Sequence, residues 1–129
     1  MLIASCVFAM LAGLLHALIF VLESFRWTHP NTMKTFSITS PEEAAATKEM
    51  AFNQGFYNLF LGIMAIAGAG LALAGRQAIG VTLIIAGAAS MTLAALVLFV
   101  GSPDKRTAAV KQFATPALSL LCLLGWAIL

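Results

Sequence analysis

Charge is what this sequence has least of: seven Lys/Arg and five Asp/Glu among 129 residues, 9% of the chain, where a soluble domain carries roughly 25%. So few charges cannot coat a water-facing surface, and a soluble globular domain is excluded. The charges are scattered and sum to only +2, so no basic stripe exists to neutralise phosphates and nucleic acid is excluded as a partner. Cysteine is nearly absent. Cys6 and Cys122 form no C-x-x-C, which excludes a disulfide scaffold and leaves a thiol–disulfide relay without support. Histidine is limited to His16 and His29, too few for a metal or haem ligand set, so no metal and no cofactor is expected. Gly-rich phosphate loops and nucleophile elbows are missing as well.

What remains is apolar. Hydrophobic residues make up 61% of the chain, mean hydropathy is +0.99, and the chain reads as an integral membrane protein. A helix needs about 20 mostly apolar residues to cross a bilayer. Four runs qualify, at about 2–23, 51–74, 78–100 and 112–129, the first interrupted only by Ser5 and His16. The expected architecture is all-α, a four-helix transmembrane bundle spanning 1–129 as one domain, with no room for a soluble module. The first run lacks a basic flank and a small-x-small cleavage site, so it is expected to be a retained helix rather than a signal peptide. Arg26, Lys34, Lys48, Lys105, Arg106 and Lys111 fall in the first and third loops, against Arg76 alone in the second. Basic loops stay in the cytoplasm. Both termini are therefore expected to be periplasmic, in a multi-pass protein of a bacterial inner membrane.

The first loop, about 24–50, contains a helix start. Ser40 is a good N-cap, Pro41 suits the first helical position, and Glu43 completes a capping box. The second membrane helix is thus expected to begin in the cytoplasm and enter the bilayer without a break, with the extended segment 36–39 lying on the bundle mouth. Within the spans, Gly62 and Gly68 are expected to form one small face and Gly80 and Gly87 another. Such faces let helices approach closely in lipid, where hydrophobic drive between helices is weak. A homodimer seam is the alternative use of them.

Polar groups inside spans are costly and turn toward the bundle interior. On the first helix His16, Glu23 and Trp27 fall on one stripe at about 100° per residue, with His16 roughly 10 Å deeper than Glu23. The second opens with Asn53-Gln54-Gly55-Phe56-Tyr57-Asn58, and the fourth adds Gln112, Thr115 and Pro116. The third offers only Thr82, Ser90 and Thr92, which can bond their own backbone. Three helices therefore bring polar side chains to one depth. The simplest arrangement is a polar-lined cavity open to the cytoplasm and closed at the aliphatic periplasmic half. Each residue also has a plainer reading. Glu23 can mark the membrane boundary, paired with Arg26, and His16 can be a core histidine bonded to a neighbouring helix. Trp27 and Tyr57 can be interfacial belt residues, and Asn53, Gln54 and Asn58 interhelical glue. His29, followed by Pro30, reads as a solvated loop residue.

His16, Glu23 with Trp27 four residues on, the Asn53–Asn58 block and Gln112-x3-Pro116-Ala117 resemble the small bacterial membrane family catalogued as domain of unknown function 1304. The resemblance covers essentially the whole chain, and the Asn-Gln-Gly-x-Tyr-Asn block is its most specific part. It implies four spans and no settled biochemical role. By layout alone the chain is also similar to the four-helix emopamil-binding sterol isomerases and DoxX-like proteins, and no residue roles are carried over from them.

Three functions stand open on the sequence. One is a pocket for an apolar or amphipathic small molecule. Glu23 and His16 would be its acid/base pair, and Trp27, Asn53, Gln54, Tyr57, Asn58 and Gln112 its ligand-binding residues. Another is a dimeric proton-coupled efflux transporter, although Glu23 sits at the end of its span rather than mid-membrane as in the small multidrug transporters. The last is a structural or assembly protein whose polar layer sets helix register. Membrane lipids are partners in every case.

Overall fold

The computed structural model describes residues 1–129, which form α1 (Leu2–Phe25), α2 (Pro30–Thr35), α3 (Pro41–Leu73), α4 (Gln77–Gly101) and α5 (Arg106–Ile128), with a 3-10 turn at Pro103–Lys105. There are no strands. All the α-helices but α2 are long and apolar enough to cross a membrane, as the sequence predicts.

The start of α3 follows from its cap. Ser40 is extended and its side chain accepts from the Glu43 N–H at 3.1 Å, with Pro41 at the first helical position. The Glu43 carboxylate returns one residue further back than a standard capping box, accepting from the Thr39 N–H at 2.8 Å and the Thr39 hydroxyl at 2.6 Å. From there the helix runs 33 residues without a break, about 50 Å at 1.5 Å per residue. That exceeds the roughly 30 Å hydrocarbon core, and the helix runs unbroken from its cap through the apolar stretch, as expected. Helix α2 was not expected. His29 is its cap, accepting at Nδ1 from the Asn31 N–H at 3.3 Å, with Pro30 at the first position. The 36–39 segment is extended only in part: Phe36 and Ser37 form a turn, and Ser37 is left-handed at φ 57°. Helix α5 starts at Arg106, ahead of the apolar run, because nothing in Thr107–Lys111 opposes helix.

Helices α1, α3, α4 and α5 form a ring in that order, each antiparallel to its neighbours, with α5 closing on α1. The core between them is small: Cys6, Ala9, Ala12, Ala65, Ala69, Ala72 and Ala88, with Ile84 and Met91 as the larger members. In lipid such residues permit backbone-to-backbone contact. The tightest is the α1/α3 crossing, where a Cβ on Gly62 would lie 2.8 Å from the Gly13 carbonyl oxygen, and one on Gly13 equally close to that of Gly62. Gly68 and Gly80 meet across α3 and α4, and Gly87 lies against Leu61 and Ala65. Gly80 and Gly87 therefore share a face, as the sequence predicts, but Gly62 and Gly68 do not. Six residues advance a helix by about 600°, which leaves the two roughly 120° apart, and each serves a different neighbour. All four are taken up inside the bundle. The α3–α4 turn closes through Gly75 at φ 82°, a conformation only glycine adopts without strain.

At the end holding both termini the lining is less purely aliphatic than expected. Ser119 donates to the Ser5 carbonyl at 2.9 Å, and the two hydroxyls meet at 3.0 Å in a fully buried pair that ties α5 to α1. Ser119→Ala is expected to lower stability by about 1 kcal/mol, because it leaves the Ser5 hydroxyl without its partner. Ser5→Ala should cost less, since Ser119 keeps the carbonyl. Thermal unfolding of the detergent-purified protein checks the order. Cys6 and Cys122, on these neighbouring helices, are free thiols. At the other end a run of edge-to-face rings, Phe25, Phe20, Phe56 and Phe52, staples α1 to α3.

Candidate functional site

Two stripes of side chains define the site. On α3, Ala72, Gly68, Ala65 and Leu61 recur every three or four residues on the α4 side, and the same stripe continues through Asn58 and Gln54. On α4 the facing stripe runs Gly80, Ile84, Gly87 and Met91 and continues through Ala94, Leu98 and Gly101. At the Gly75 hairpin the stripes touch. Toward the opposite end both line a cavity of about 590 Å³, bounded on its other sides by α1 and the start of α5. Small-molecule sites run from roughly 300 to 1,000 Å³.

Glu23 sits on the α1 wall with 8% of its surface exposed. Its Oε2 accepts from Asn58 Nδ2 at 2.8 Å, and that nitrogen also donates to the Gln54 carbonyl at 3.2 Å. Gly55 makes this reach possible. A Cβ there would meet the Ser24 hydroxyl, and would lie 3.1 Å from the Phe20 carbonyl and 3.2 Å from Glu23 Cβ. Ser24 in turn donates to the Phe52 carbonyl at 3.0 Å. Asn58, rather than Arg26, is therefore the partner of the carboxylate.

His16 lies deeper on the same wall and is 2% exposed. Its Nδ1 donates to the Ala12 carbonyl at 2.9 Å on its own helix, not to a neighbouring one. That bond sets the tautomer and leaves Nε2 as an acceptor with no protein partner.

The helix stripe expected for Trp27 does not exist, because α1 ends at Phe25 and Arg26 leaves the helical region at φ −124°. Trp27 reaches the cavity from the turn instead. It is fixed there by its Nε1–H, which donates to Thr47 Oγ1 at 3.0 Å, and by Phe36, whose ring centre is 5.2 Å away. Thr47 passes the bond on to the Glu43 carbonyl at 2.8 Å. The first turns of α3 thus hold the tryptophan.

Gln54, Tyr57 and Asn58 of α3 and Gln112 of α5 also line the cavity, joining His16, Glu23 and Trp27. Asn53 does not. It lies about 100° from Gln54 around the helix and falls in a shallow outer groove with Phe56 and Phe60, where only Tyr57 is shared with the cavity. Thr82, Ser90 and Thr92 bond the carbonyls four residues back at 2.8, 2.8 and 2.7 Å, as expected. Sequence reasoning missed Phe36, Ser102 and Lys105, which close the loop end. The polar α4–α5 loop carried a hint of Lys105, and Phe36 begins the 36–39 segment expected at the bundle mouth, though not as a site residue. Two further polar atoms lie by Gln112. Pro116 has no N–H for the Gln112 carbonyl, and the buried Thr115 hydroxyl has no partner.

The result is a two-sided site: hydrogen-bonding groups on α1, α3 and α5 face an apolar wall of Ala94, Val97, Leu98 and Gly101 on α4. Fold and site together define a small multi-pass helical membrane protein with a side-chain-lined cavity in one half. The sequence model of the family described as "Protein of unknown function (DUF1304)" matches residues 10–124, and the chain belongs to that family. No curated protein and no solved structure matches it.

Proposed function

We propose that this protein binds an apolar or amphipathic small molecule in the cavity between α1, α3, α4 and α5, in an inner membrane with the basic loops on the cytoplasmic side. The observation that carries the reading is the two-sided lining. A purely structural polar layer would close on itself, but here His16 Nε2, one Glu23 oxygen and the Gln112 amide line the cavity with no partner in the protein. A ligand seated there would make these hydrogen bonds, which are worth most where it excludes water. Glu23 and His16 would contact its polar head and supply the acid/base pair for isomerase-like chemistry. Gln54, Tyr57, Asn58, Gln112 and Trp27 would orient it.

Native mass spectrometry of the gently purified protein, wild type beside Glu23→Gln, tests this. A defined adduct on the wild type that falls at least tenfold in the variant is the expected result, and its mass identifies the ligand. An adduct-free wild type, or equal adducts on both, would overturn the reading.

A further inference from the structure

The two helices that flank the cavity's open side are the least enclosed part of it. Tyr57 on α3 is 65% exposed and Val97 on α4 is 73% exposed, yet both line the cavity. Ala94 and Gln54, one turn away on the same helices, are exposed as well. A residue can line a cavity and face the outside only at its rim, so the rim runs along the α3/α4 seam. That seam lies within the membrane-crossing length of both helices. Tyr57 is six residues into the span expected from about residue 51, roughly 9 Å at 1.5 Å per residue, and Val97 is one turn short of the end of α4. Toward the loops the lining is better enclosed, with Trp27, Phe36, Ser102 and Lys105 each half-buried and Trp27 pinned to Thr47. The glycine contacts Gly68–Gly80 and Gly87–Leu61 hold the hairpin end of the same two helices together, so the opening is a wedge, closed at the hairpin.

We propose that the ligand reaches this cavity sideways from within the bilayer, through the α3/α4 wedge, and that it is a membrane-dissolved amphiphile with a hydrogen-bond-donating amine or hydroxyl head. This rests on the reading that the cavity binds a small molecule, and it names the class and the route. The head class follows from the atoms left free. Asn58 Nδ2 is committed to Glu23 and Gln54, and the unpartnered groups on the α1 wall, His16 Nε2 and the second Glu23 oxygen, accept rather than donate. The donors Gln112 and Lys105 lie apart from that wall, on α5 and the loop before it. His16 Nε2 and the Glu23 oxygen lie roughly 10 Å apart along α1, so one head meets one of them. A head that donates satisfies whichever it meets, while a carboxylate or phosphate head there meets acceptor against acceptor. The tail class follows from the α4 wall, where Ala94, Val97 and Leu98 offer only carbon. A long-chain amine or alcohol lying with its tail out through the wedge keeps that tail in lipid.

The experiment uses the full chain in liposomes carrying a diazirine-labelled long-chain amino alcohol, with a diazirine-labelled fatty acid as the head-group control. After irradiation, cross-linked peptides are mapped by mass spectrometry for wild type, Val97→Trp, Ser102→Trp and Glu23→Gln. Val97 is an exposed rim residue, so its tryptophan fills the wedge without entering the core, and a melting curve confirms that the variant folds. The amino alcohol should label 54–61 and 94–101 in the wild type at least fivefold more than the fatty acid does. Val97→Trp should remove at least four-fifths of that labelling, and Ser102→Trp should leave it. Cavity labelling that survives Val97→Trp and is lost in Ser102→Trp would overturn the lateral route while keeping the binding reading. Equal labelling by both probes would overturn the head class. No cavity labelling above Glu23→Gln with either probe would sink the binding reading itself.

Discussion

Gly62→Ala is expected to destabilise the bundle by about 3 kcal/mol, at the upper end for an overpacked core site, while Gly70→Ala leaves it unchanged or gains up to about 1 kcal/mol from better helix propensity. Both are glycines on α3, Gly62 mid-helix and Gly70 in the last turn, and their surroundings differ sharply. A methyl at Gly62 would stand 2.8 Å from the Gly13 carbonyl oxygen, whereas nothing lies within 4 Å at Gly70. The obstacle is backbone, not a side chain that can swing away, so α1 would have to retreat from α3 along its length. That retreat is costly because close contact is the main attraction between helices in lipid. Gly13→Ala should cost at least as much as Gly62→Ala, since it meets the Gly62 carbonyl oxygen at the same distance and Ile66 must also move. Chemical or thermal unfolding in detergent orders the three. A Gly62→Ala protein that melts with the wild type would show that the α1/α3 crossing is looser than its geometry.

The same crossing shows how far the sequence can be read. Hydrophobic run lengths marked the four long apolar helices because a bilayer sets the length such runs need, and the Ser40-Pro41-Glu43 cap marked the start of α3 because capping is local. Which glycine meets which helix was not legible. Gly62 and Gly68 look alike in sequence, but their partners depend on the ring order of the helices, which no local pattern carries. The site divides in the same way. His16, Glu23, Gln54 and Asn58 were legible as polar groups at helical spacing inside apolar runs, where they have no cheap alternative to facing inward. Asn53 misled because a block of polar residues at a membrane boundary can turn either to the cavity or to the headgroups. Trp27 reached the expected place by a different path, a turn rather than a helical stripe, since helix ends are the least certain feature of any span. Phe36 was legible only as the start of a segment expected at the bundle mouth. It belongs to the cavity only because α2 and the Ser37 turn fold the loop back under Trp27.

Asn58→Leu is expected to lower stability by about 2 kcal/mol, because it strips the Glu23 carboxylate of the one hydrogen bond the protein gives it in a nearly closed site. Glu23→Leu should cost less, since the Asn58 amide keeps the Gln54 carbonyl. The double variant should recover most of the loss, to within about 1 kcal/mol of wild type, because neither polar group is then left orphaned. Unfolding curves for the four proteins give the coupling energy directly. The cycle also separates the two uses a polar layer can have. A layer that exists to fix helix register would lose that register in the double variant, seen as a broad transition or a changed oligomeric state. A layer that exists to hold a ligand leaves a folded, cooperative and empty protein. The geometry favours the second outcome, since Gly13–Gly62 and Gly68–Gly80 already fix the register of α3 against both neighbours by backbone contact. Glu23 and Asn58 are then free to serve the cavity they line.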